Sequence, residues 1–343
     1  MARILIVTDA WHPQVNGVVR TLDTTAKALR EFGHTVEVLE PSAFPQMSAP
    51  FYPEIRFALA TPGRIDRRIR TFRPDHVHIS TEGPLGLLAR RHCTKRGWKF
   101  STSYHTKFPE YLHALARVPE RWSYRMLRWF HNGAAAMMVA TPSLEADLKS
   151  RGFTAPIRRW SRGVDRGIFR PRPKVESPDP RPVLLYVGRV SVEKGIEDFL
   201  KLDTPGTKVV VGDGPIRADL EKRYPTAKFL GYRKGEELGA CYAAADLFVF
   251  PSRTDTFGLV VIEALACGLP VAAFPATGPI DILTRPELGC CDDDLKLAIN
   301  RALQFGDRDA CLAEGASYTW DRCTEQFLGN LVPVSGEKAS GTA

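Results

Sequence analysis

The amino-acid sequence predicts an α/β protein made of two doubly wound, Rossmann-like domains. Short apolar runs alternate with helical patterns in both halves of the chain, which is typical of parallel sheets covered by helices on both faces. Five prolines fall within residues 171–182 and separate the two alternating series. The length of 343 residues, with 44% hydrophobic residues, is sufficient for two separate cores.

The first series indicates a domain over residues 1–170. Its apolar runs predict strands at residues 3–8, 34–39, 76–79, 99–104 and 137–140. Its amphipathic stretches predict helices at residues 18–31, 64–72, 84–96, 110–131 and 143–151.

The second series indicates a domain over residues 183–314. Proline cannot continue a helix or a central strand, so residues 171–182 are expected to form an exposed linker. Residues 315–332 predict a helix that crosses back to the first domain, and residues 333–343 predict a flexible tail. Ligands of doubly wound sheets bind outside the carboxyl ends of the strands, so we expect the active site in a cleft between the domains. The predicted strands of this domain are residues 182–188, 208–212, 227–230, 247–251 and 270–274.

Charge is distributed unevenly between the two halves. Residues 1–170 contain 27 Lys and Arg against 14 Asp and Glu, a net charge of +13, whereas residues 171–343 contain 20 against 25, a net charge of −5. The basic half is predicted to meet an anionic surface, either nucleic acid or anionic lipid. A solvated basic surface without a partner is the alternative.

Three further features bear on the compartment. The N-terminal residues read as a first strand and not as a signal peptide. The longest apolar run, residues 134–140, is too short to span a bilayer. The seven cysteines lack metal-binding spacing, which favours reduced thiols. We therefore expect a cytoplasmic protein.

The most informative segment is residues 251–271, which runs from the end of a predicted strand through a loop into a helix. The free N–H groups and the dipole of a helix start near Gly258 suit a diphosphate, and glycine lets the phosphate approach the backbone. Asp255 is expected to lie beside a sugar that is attached to this diphosphate. Glu263 lies in an apolar helix, where a carboxylate is rarely left unpaired, and is expected to bind the ribose hydroxyls. A purely structural glutamate is the alternative. The donor-contacting residues predicted at the helix start are Thr256, Phe257, Gly258 and Leu259.

These residues resemble a known signature. An acid followed by x-Phe-Gly, a glutamate eight residues after the acid, and Gly-x-Pro-Val at residues 268–271 resemble family 4 glycosyltransferases of GT-B fold. Asp255 stands where the family usually has glutamate. The resemblance covers nearly the whole chain through four further motifs: a first glycine loop at residues 11–21, a histidine site at 104–106, a domain-closing turn at 162–165 and a phosphate clamp at 188–195.

The resemblance implies transfer of a sugar from a nucleotide diphosphate donor with retention of anomeric configuration, without a covalent protein nucleophile, a cofactor or a metal. Arg189 and Lys194 lie on one strand-to-helix loop, where two cations can neutralise a leaving diphosphate. Gly17 precedes the first helix and is expected to contact phosphate, or it forms a plain turn. Many relatives have glycine where this chain has Asn16. His105 follows a strand, and its family counterpart contacts the transferred sugar, although a lone histidine is also often structural.

Two other patterns are excluded as sites. Gly212 and Gly214 open like a dinucleotide fingerprint, but Arg217 replaces the third glycine. The aspartates at residues 292–294 (Asp-Asp-Asp) and 307–309 (Asp-Arg-Asp) resemble metal motifs, yet they lie away from any phosphate loop and are expected to cap helices.

Basic and aromatic residues interleave in one predicted helix of the first half. This pattern is typical of single-stranded nucleic-acid binding or of a membrane interface, unless the aromatic side chains fill the core. The residues concerned are Trp122, Tyr124, Trp129 and Phe130 with Arg117, Arg121, Arg125 and Arg128.

The same region bears on the acceptor. Residues 108–112 and the helices that follow resemble the branch of the family that glycosylates diacylglycerol, which includes sulfoquinovosyl-, glucuronosyl- and mannosyl-transferring enzymes. We expect a UDP-hexose or UDP-uronic acid donor, with GDP-mannose as the alternative. The acceptor is expected to be a lipid, reached from the cytoplasmic face of an anionic membrane through the first domain.

Two functions of other classes remain open. A basic nucleic-acid-binding protein would explain the charge of the first half but not Asp255 or Glu263, so we expect no nucleic-acid partner. A nucleotide-sugar 2-epimerase would share the double Rossmann plan. Incubation with donor alone distinguishes it, because only an epimerase changes the donor sugar without an acceptor.

Overall fold

The chain folds into two compact units. The computed structural model describes residues 1–48, 56–110, 117–173 and 179–334. The predicted tail from residue 335, part of the predicted linker and Tyr111 and Leu112 lie outside the described residues. The first unit comprises Met1–Ala140, Leu144–Ser161 and the chain from Trp320 onward. The second comprises Thr141–Ser143 and Arg162–Thr319.

The division after Ser161 lies earlier than the boundary at residue 170 that the prolines suggest. The ring of buried Phe169 meets Tyr242 edge-on, with 5.5 Å between the ring centroids. Residues 162–170 are therefore anchored in the second unit by an aromatic contact between positions far apart in the sequence.

The strands of the first unit are β1 (Arg3–Val7), β2 (Thr35–Leu39), β3 (Gln46–Ser48), β4 (Arg56–Ala58), β5 (His76–Ile79), β6 (Ser101–Ser103), β7 (Ala136–Val139) and β8 (Ile157–Arg159). Six of them form a parallel sheet in the order β2-β1-β5-β6-β7-β8. β3 and β4 form a separate antiparallel pair. Ile4 and Ile6 of β1 pack in one apolar cluster and Leu5 and Val7 in another, so the strand is buried on both faces.

Helices connect these strands at the predicted places. The helix predicted over residues 110–131 is observed from Glu120 to His131, and residues 111–116 are outside the described part. The helices are α1 (Gly17–Glu31), α2 (Pro62–Phe72), α3 (Pro84–Lys95), α4 (Glu120–His131) and α5 (Pro142–Ser150).

The strands of the second unit are β9 (Val183–Val187), β10 (Thr207–Val211), β11 (Lys228–Gly231), β12 (Leu247–Phe250), β13 (Val271–Ala273) and β14 (Gly289–Cys291). They form another six-stranded parallel sheet, in the order β11-β10-β9-β12-β13-β14. The doubly wound architecture predicted for both halves is confirmed. The helices are α6 (Ile196–Leu200), α7 (Arg217–Arg223), α8 (Gly235–Ala244), α9 (Leu259–Ala266), α10 (Pro279–Ile282), α11 (Leu295–Phe305) and α12 (Arg308–Ala316).

The last helix, α13 (Trp320–Asn330), belongs to the first unit. Its buried residues Cys323 and Phe327 lie in the same apolar cluster as Ile4 and Ile6 of β1. The amphipathic pattern near the C-terminus thus serves to cover one face of the first sheet.

Candidate active site

The second sheet has a topological switch point between β9 and β12. The chain leaves β9 toward β10 on one side and returns to β12 on the other. The loops after β9 and β12 therefore flank a crevice of the kind in which doubly wound sheets bind ligands. The predicted phosphate clamp, residues 188–195, is one of these loops, and the predicted sugar loop that contains Asp255 is the other.

An ion pair joins the two loops. The Lys194 ammonium nitrogen lies 2.7 Å and 2.9 Å from the two carboxylate oxygens of Asp255. Burial opposes ionisation of Asp255, but the neighbouring ammonium outweighs that effect and lowers the pKa of the carboxyl. The structure thus brings together two residues that the sequence analysis assigned to different parts of the donor.

Gly195 makes this pairing possible. Its φ of +63° is in the left-handed region, and a Cβ atom built there would lie 2.5 Å from the Pro251 carbonyl oxygen. Only glycine allows the β9 loop to approach the end of β12 this closely. Lys194 is the last residue of a 3-10 turn and consequently lies beside Asp255.

Arg189 is half-buried on the same loop. Its backbone carbonyl accepts a 2.7 Å hydrogen bond from the buried Tyr186 hydroxyl, which fixes the course of the chain as it leaves β9. Arg189 and Lys194 therefore lie on the same loop beside the switch point, and their predicted contact with the diphosphate stays a prediction.

The β12 loop ends in the start of α9. Gly258 occupies the N-cap position with a φ of +83° and has no side chain with which to cap the helix. Thr256 and Phe257 are buried beneath the loop, whereas Leu259 is partly exposed at the first turn. The first N–H groups of a helix have no partner within it, so this arrangement can accept an anion.

Glu263 is buried in α9, with 2% of its surface exposed. One of its carboxylate oxygens accepts a hydrogen bond of 3.0 Å from the Tyr242 hydroxyl. Glu263 thus has a hydrogen-bond partner within the protein, which supports the alternative interpretation of a structural glutamate. A carboxylate has capacity for several donors, so the predicted contact with ribose stays a prediction.

In the first unit, the switch point lies between β1 and β5. Gly17 is exposed at the start of α1, which follows the β1 loop. The Asn16 side chain caps this helix by accepting the backbone N–H of Val19 at 3.0 Å. This cap gives a physical reason for asparagine where many relatives have glycine.

Asp9 is a feature of this switch point that the sequence analysis missed. Its buried carboxylate accepts backbone N–H groups from Leu85 and Gly86 at the start of α3. Burial raises the pKa of Asp9 despite these bonds. An acid directly after the first strand was the available signal, but its partners lie more than 70 residues away.

His105 follows β6 and is half-buried. Its Nε2 lies 2.8 Å from the Ser103 hydroxyl, and its ring meets Trp160 edge-on, with 5.6 Å between centroids. One edge of the imidazole is therefore held by the protein.

The basic and aromatic helix α4 divides into two faces. Tyr124 and Phe130 are buried in the core, whereas Trp122 and Trp129 expose 64% and 55% of their surface. Arg90 stacks on the Trp129 ring at 3.9 Å from its centroid. Core packing explains two of the four aromatic residues, and the other two are available at the surface.

The dismissed aspartate pairs cap helices, as predicted. Asp294 accepts the backbone N–H of Lys296 at 2.9 Å at the start of α11. Asp307 accepts that of Ala310 at 2.7 Å at the start of α12. All seven cysteines lie in the described part of the chain, and none of them forms a disulfide bond. Among the described residues, none of the helices has the length and apolarity that crossing a bilayer requires.

Both halves of the chain match glycosyltransferase family models. Residues 15–167 match Glycosyltransferase Family 4, and residues 181–304 match Glycosyl transferases group 1.

Relatives and a solved structure extend over most of the chain. A sulfoquinovosyl transferase of Arabidopsis thaliana is 32% identical over 92% of this chain, which spans 63% of that protein's length. A GDP-mannose-dependent alpha-mannosyltransferase of Mycobacterium tuberculosis is 30% identical over 99% of both chains. An alpha-monoglucosyldiacylglycerol synthase of Streptococcus pneumoniae is 27% identical over 79% of this chain and 70% of its own. The structure of sucrose-phosphate synthase from Thermosynechococcus elongatus superposes with a TM-score of 0.75 at 20% identity, covering 96% of this chain and 98% of that one.

The fold and these matches agree with the family indicated by the motifs. The two Rossmann-like units are those of the GT-B fold. The chain therefore belongs to glycosyltransferase family 4 and is a glycosyltransferase that acts on nucleotide sugars.

Proposed function

We propose that the protein transfers a hexose or uronic acid from a UDP-sugar to a membrane lipid such as diacylglycerol, with retention of configuration. The observation that carries the lipid acceptor is the similarity to a sulfoquinovosyl transferase and a monoglucosyldiacylglycerol synthase. This chain spans only 63% of the length of the first of these proteins, so the donor, the acceptor and the reaction between them are all part of the proposal.

The second unit is proposed to hold the donor. Arg189, Lys194 and the start of α9 would receive the diphosphate, and Glu263 the ribose. Lys194 favours the ionised form of Asp255, and the resulting carboxylate can accept hydrogen bonds from sugar hydroxyls. Binding of the donor would then let Lys194 share its three N–H groups between Asp255 and a phosphate oxygen.

The proposed chemistry requires no covalent protein intermediate. The acceptor oxygen bonds to the anomeric carbon on the face from which the diphosphate departs, as the bond from that carbon to the phosphate oxygen breaks. The acceptor's proton passes to the departing phosphate oxygen. Negative charge grows on the diphosphate, where fixed cations and a helix start stabilise it. His105 is proposed to orient the transferred sugar.

Surface charge on the first unit supports reversible contact with the cytoplasmic face of an anionic membrane. The outer face of α4 combines exposed Trp122 and Trp129 with exposed Arg121 and Arg125. An open cavity of about 570 Å³ lies between α2, the residue that follows it and the start of β1. Arginines dominate its lining, which consists of Arg3, Arg67, Arg70, Thr71 and Arg73. Clusters of this kind attract anionic lipid headgroups.

A mannosyltransferase using GDP-mannose is the second candidate. One observation favours it: the mycobacterial relative named for that donor matches 99% of both chains. The donor therefore has to be determined by experiment, since both candidates use the same fold.

The test is a donor panel with a lipid acceptor. The protein is incubated with UDP-glucose, UDP-glucuronic acid, UDP-sulfoquinovose or GDP-mannose and vesicles containing diacylglycerol and anionic phospholipid. We expect a UDP-sugar to give a glycolipid detectable by mass spectrometry, with the anomeric configuration of the donor by NMR. Activity is expected to persist in excess EDTA, because protein cations handle the diphosphate charge.

Asp255→Asn is the matched inactive control, because it removes the carboxylate charge at almost constant size. Product with GDP-mannose alone would establish the second candidate. Epimerised sugar from donor without acceptor would overturn the transferase proposal, and loss of transfer in EDTA that Mg²⁺ restores would overturn metal independence.

A further inference from the structure

Strand β6 has an unusual composition for a central strand of a parallel sheet. Such strands are buried on both faces and are normally rich in valine, isoleucine and leucine. Here the three residues are Ser101, Thr102 and Ser103, with at most 1% of the surface of each exposed. Buried hydroxyls are costly unless they are hydrogen-bonded, so their partners require an explanation.

On one face of the sheet the two serines bind a single histidine. His78 of β5 places Nδ1 at 2.9 Å from the Ser101 hydroxyl and Nε2 at 3.1 Å from the Ser103 hydroxyl. The Ser103 hydroxyl continues to His105, whose Nε2 lies 2.8 Å away. A chain of hydrogen bonds thus runs from the buried sheet to the proposed sugar-binding histidine.

On the opposite face of the sheet, Thr102 begins a comparable series of hydrogen bonds, which ends at Glu82 and not at His105. Thr102 lies 2.9 Å from Nδ1 of buried His131, whose Nε2 lies 2.9 Å from a Glu82 carboxylate oxygen. The two chains bury similar groups on the same strand. The second therefore provides an internal comparison for a purely structural role.

His78 remains neutral. Burial lowers its pKa to about 3, and its ring is packed edge-on against Phe327 and Trp160, at 4.8 Å and 5.9 Å between centroids. A neutral imidazole has one N–H donor and one accepting nitrogen, so it donates to one of its two serines and accepts from the other. Because Ser103 has a single proton, the direction of its bond to His78 determines whether it donates to His105 or accepts from it.

We propose that His78 and Ser103 are positioning residues, which hold the His105 imidazole in one orientation and one tautomer toward the transferred sugar. The proposal rests on the proposed role of His105 in the reaction. Packing reinforces it, since the Trp160 ring contacts both His78 and His105 and limits rotation of each imidazole. The polar strand β6 is then the connection between a fixed histidine in the core and a functional histidine at the strand end.

The test compares Ser103→Ala with Thr102→Val. Each substitution removes one buried hydroxyl from β6, but only the first breaks the bond to His105. We expect Ser103→Ala to lower kcat roughly ten- to hundredfold with donor KM nearly unchanged, because small errors in orientation affect the chemical step more than binding. Thr102→Val should leave kcat within about threefold at a similar loss of thermal stability.

A spectroscopic measurement is independent of turnover. In protein labelled with ¹⁵N-histidine and free of donor, the His105 ring nitrogens should show one dominant tautomer in the parent and in Thr102→Val. They should show averaged signals in Ser103→Ala. His78→Phe keeps the ring packing but removes both hydrogen bonds, and should produce the same averaging, while Ser103→Thr, which retains a hydroxyl, should restore the single tautomer.

The outcomes separate this proposal from the proposed function. An unchanged tautomer and an unchanged kcat in Ser103→Ala would overturn the positioning role, even if His105→Ala abolishes transfer. Full activity of His105→Ala would instead overturn the role of His105 in the reaction. Equal losses of kcat in Ser103→Ala and Thr102→Val, with the tautomer intact, would show that the serine is only structural.

Discussion

At the scale of single residues, the pairing of Lys194 with Asp255 changes how the two are interpreted. From the sequence, each residue is predicted to face the donor, Lys194 at the diphosphate and Asp255 at the sugar. In the structure each neutralises the other across two loops. Removing one partner therefore leaves an unpaired charge with most of its surface covered, which costs more than loss of an exposed ion pair.

Loss of either clamp cation is expected to impair transfer. Arg189→Ala and Lys194→Ala should each lower transition-state stabilisation by about 2–4 kcal/mol, as for other preorganised charge-stabilising groups. Steady-state kinetics and thermal denaturation of both variants check this, with exposed Lys234→Ala as the control cation in the same unit. Lys194→Ala should also lose stability through its ion pair. Turnover within threefold of the parent for both clamp variants would contradict the assignment.

Glu263 is expected to act on donor binding more than on turnover. Glu263→Gln should raise donor KM by about tenfold, the loss of one hydrogen bond to a charged group, with a smaller change in kcat. The matched control is Tyr242→Phe, which removes the hydroxyl bound to Glu263 but keeps its charge. If both substitutions alter only the melting temperature, Glu263 has a structural role.

At the scale of elements, apolar periodicity predicts the central strands and the helices between them well. β8 and β14 were missed because both are short edge strands, with the sequences Ile-Arg-Arg and Gly-Cys-Cys, and neither has an alternating or apolar pattern. The β3–β4 pair has three residues per strand and was missed for the same reason.

Contacts between elements were harder to predict from the sequence than the elements themselves. The Lys194–Asp255 pair joins loops 61 residues apart, and no local pattern encodes that distance. The sequence predicts β6 only as a strand that precedes His105. The hydrogen-bond partners of its serine hydroxyls can be identified only when the register of the sheet is known. In α4, periodicity indicated an amphipathic helix, but which aromatic residues are buried depended on the neighbouring elements.

The approach of the two loops is expected to depend on Gly195. Gly195→Ala adds a Cβ atom 2.5 Å from the Pro251 carbonyl and strains a positive φ, so it should push the loops apart and lower both stability and transfer. Gly235→Ala is the matched control, because Gly235 also has a positive φ, of +55°, but nothing lies within 4 Å of the added atom. The control should lose only about 1 kcal/mol. Equal stability and activity of the two variants, measured by denaturation and kinetics, would exclude a steric role for Gly195.

At the scale of the whole molecule, most of the excess positive charge and the exposed Trp122 and Trp129 belong to the first unit, and the proposed donor-binding loops belong to the second. Each unit has its own sheet, switch point and apolar core. Residues 1–170, most of which belong to the first unit, carry a net charge of +13, whereas residues 171–343 carry −5, so the excess of positive charge lies mainly in the first unit. Interaction with a membrane is therefore expected to depend on the first unit.

Vesicle binding is expected to require the exposed face of α4. Arg121 and Arg125 are exposed beside Trp122, whereas Arg128 donates to the Arg151 carbonyl at 3.0 Å and is better left in place. Each cation near an anionic leaflet contributes about 1 kcal/mol, so Arg121→Glu with Arg125→Glu should weaken binding to phosphatidylglycerol vesicles by about 30-fold or more. Sedimentation with vesicles measures this, and added salt should weaken parent binding by screening.

The matched control for this pair is Arg233→Glu with Lys234→Glu, which makes the same change in net charge on exposed residues of the second unit. The control should bind vesicles as the parent does, because its charges lie outside the basic unit. The α4 variant should also transfer sugar more slowly to diacylglycerol in vesicles while retaining slow hydrolysis of the donor, since the donor loops are unaltered. Equal sedimentation of parent, α4 variant and control would show that these arginines are simply solvated, and the acceptor would then have to be sought among soluble molecules.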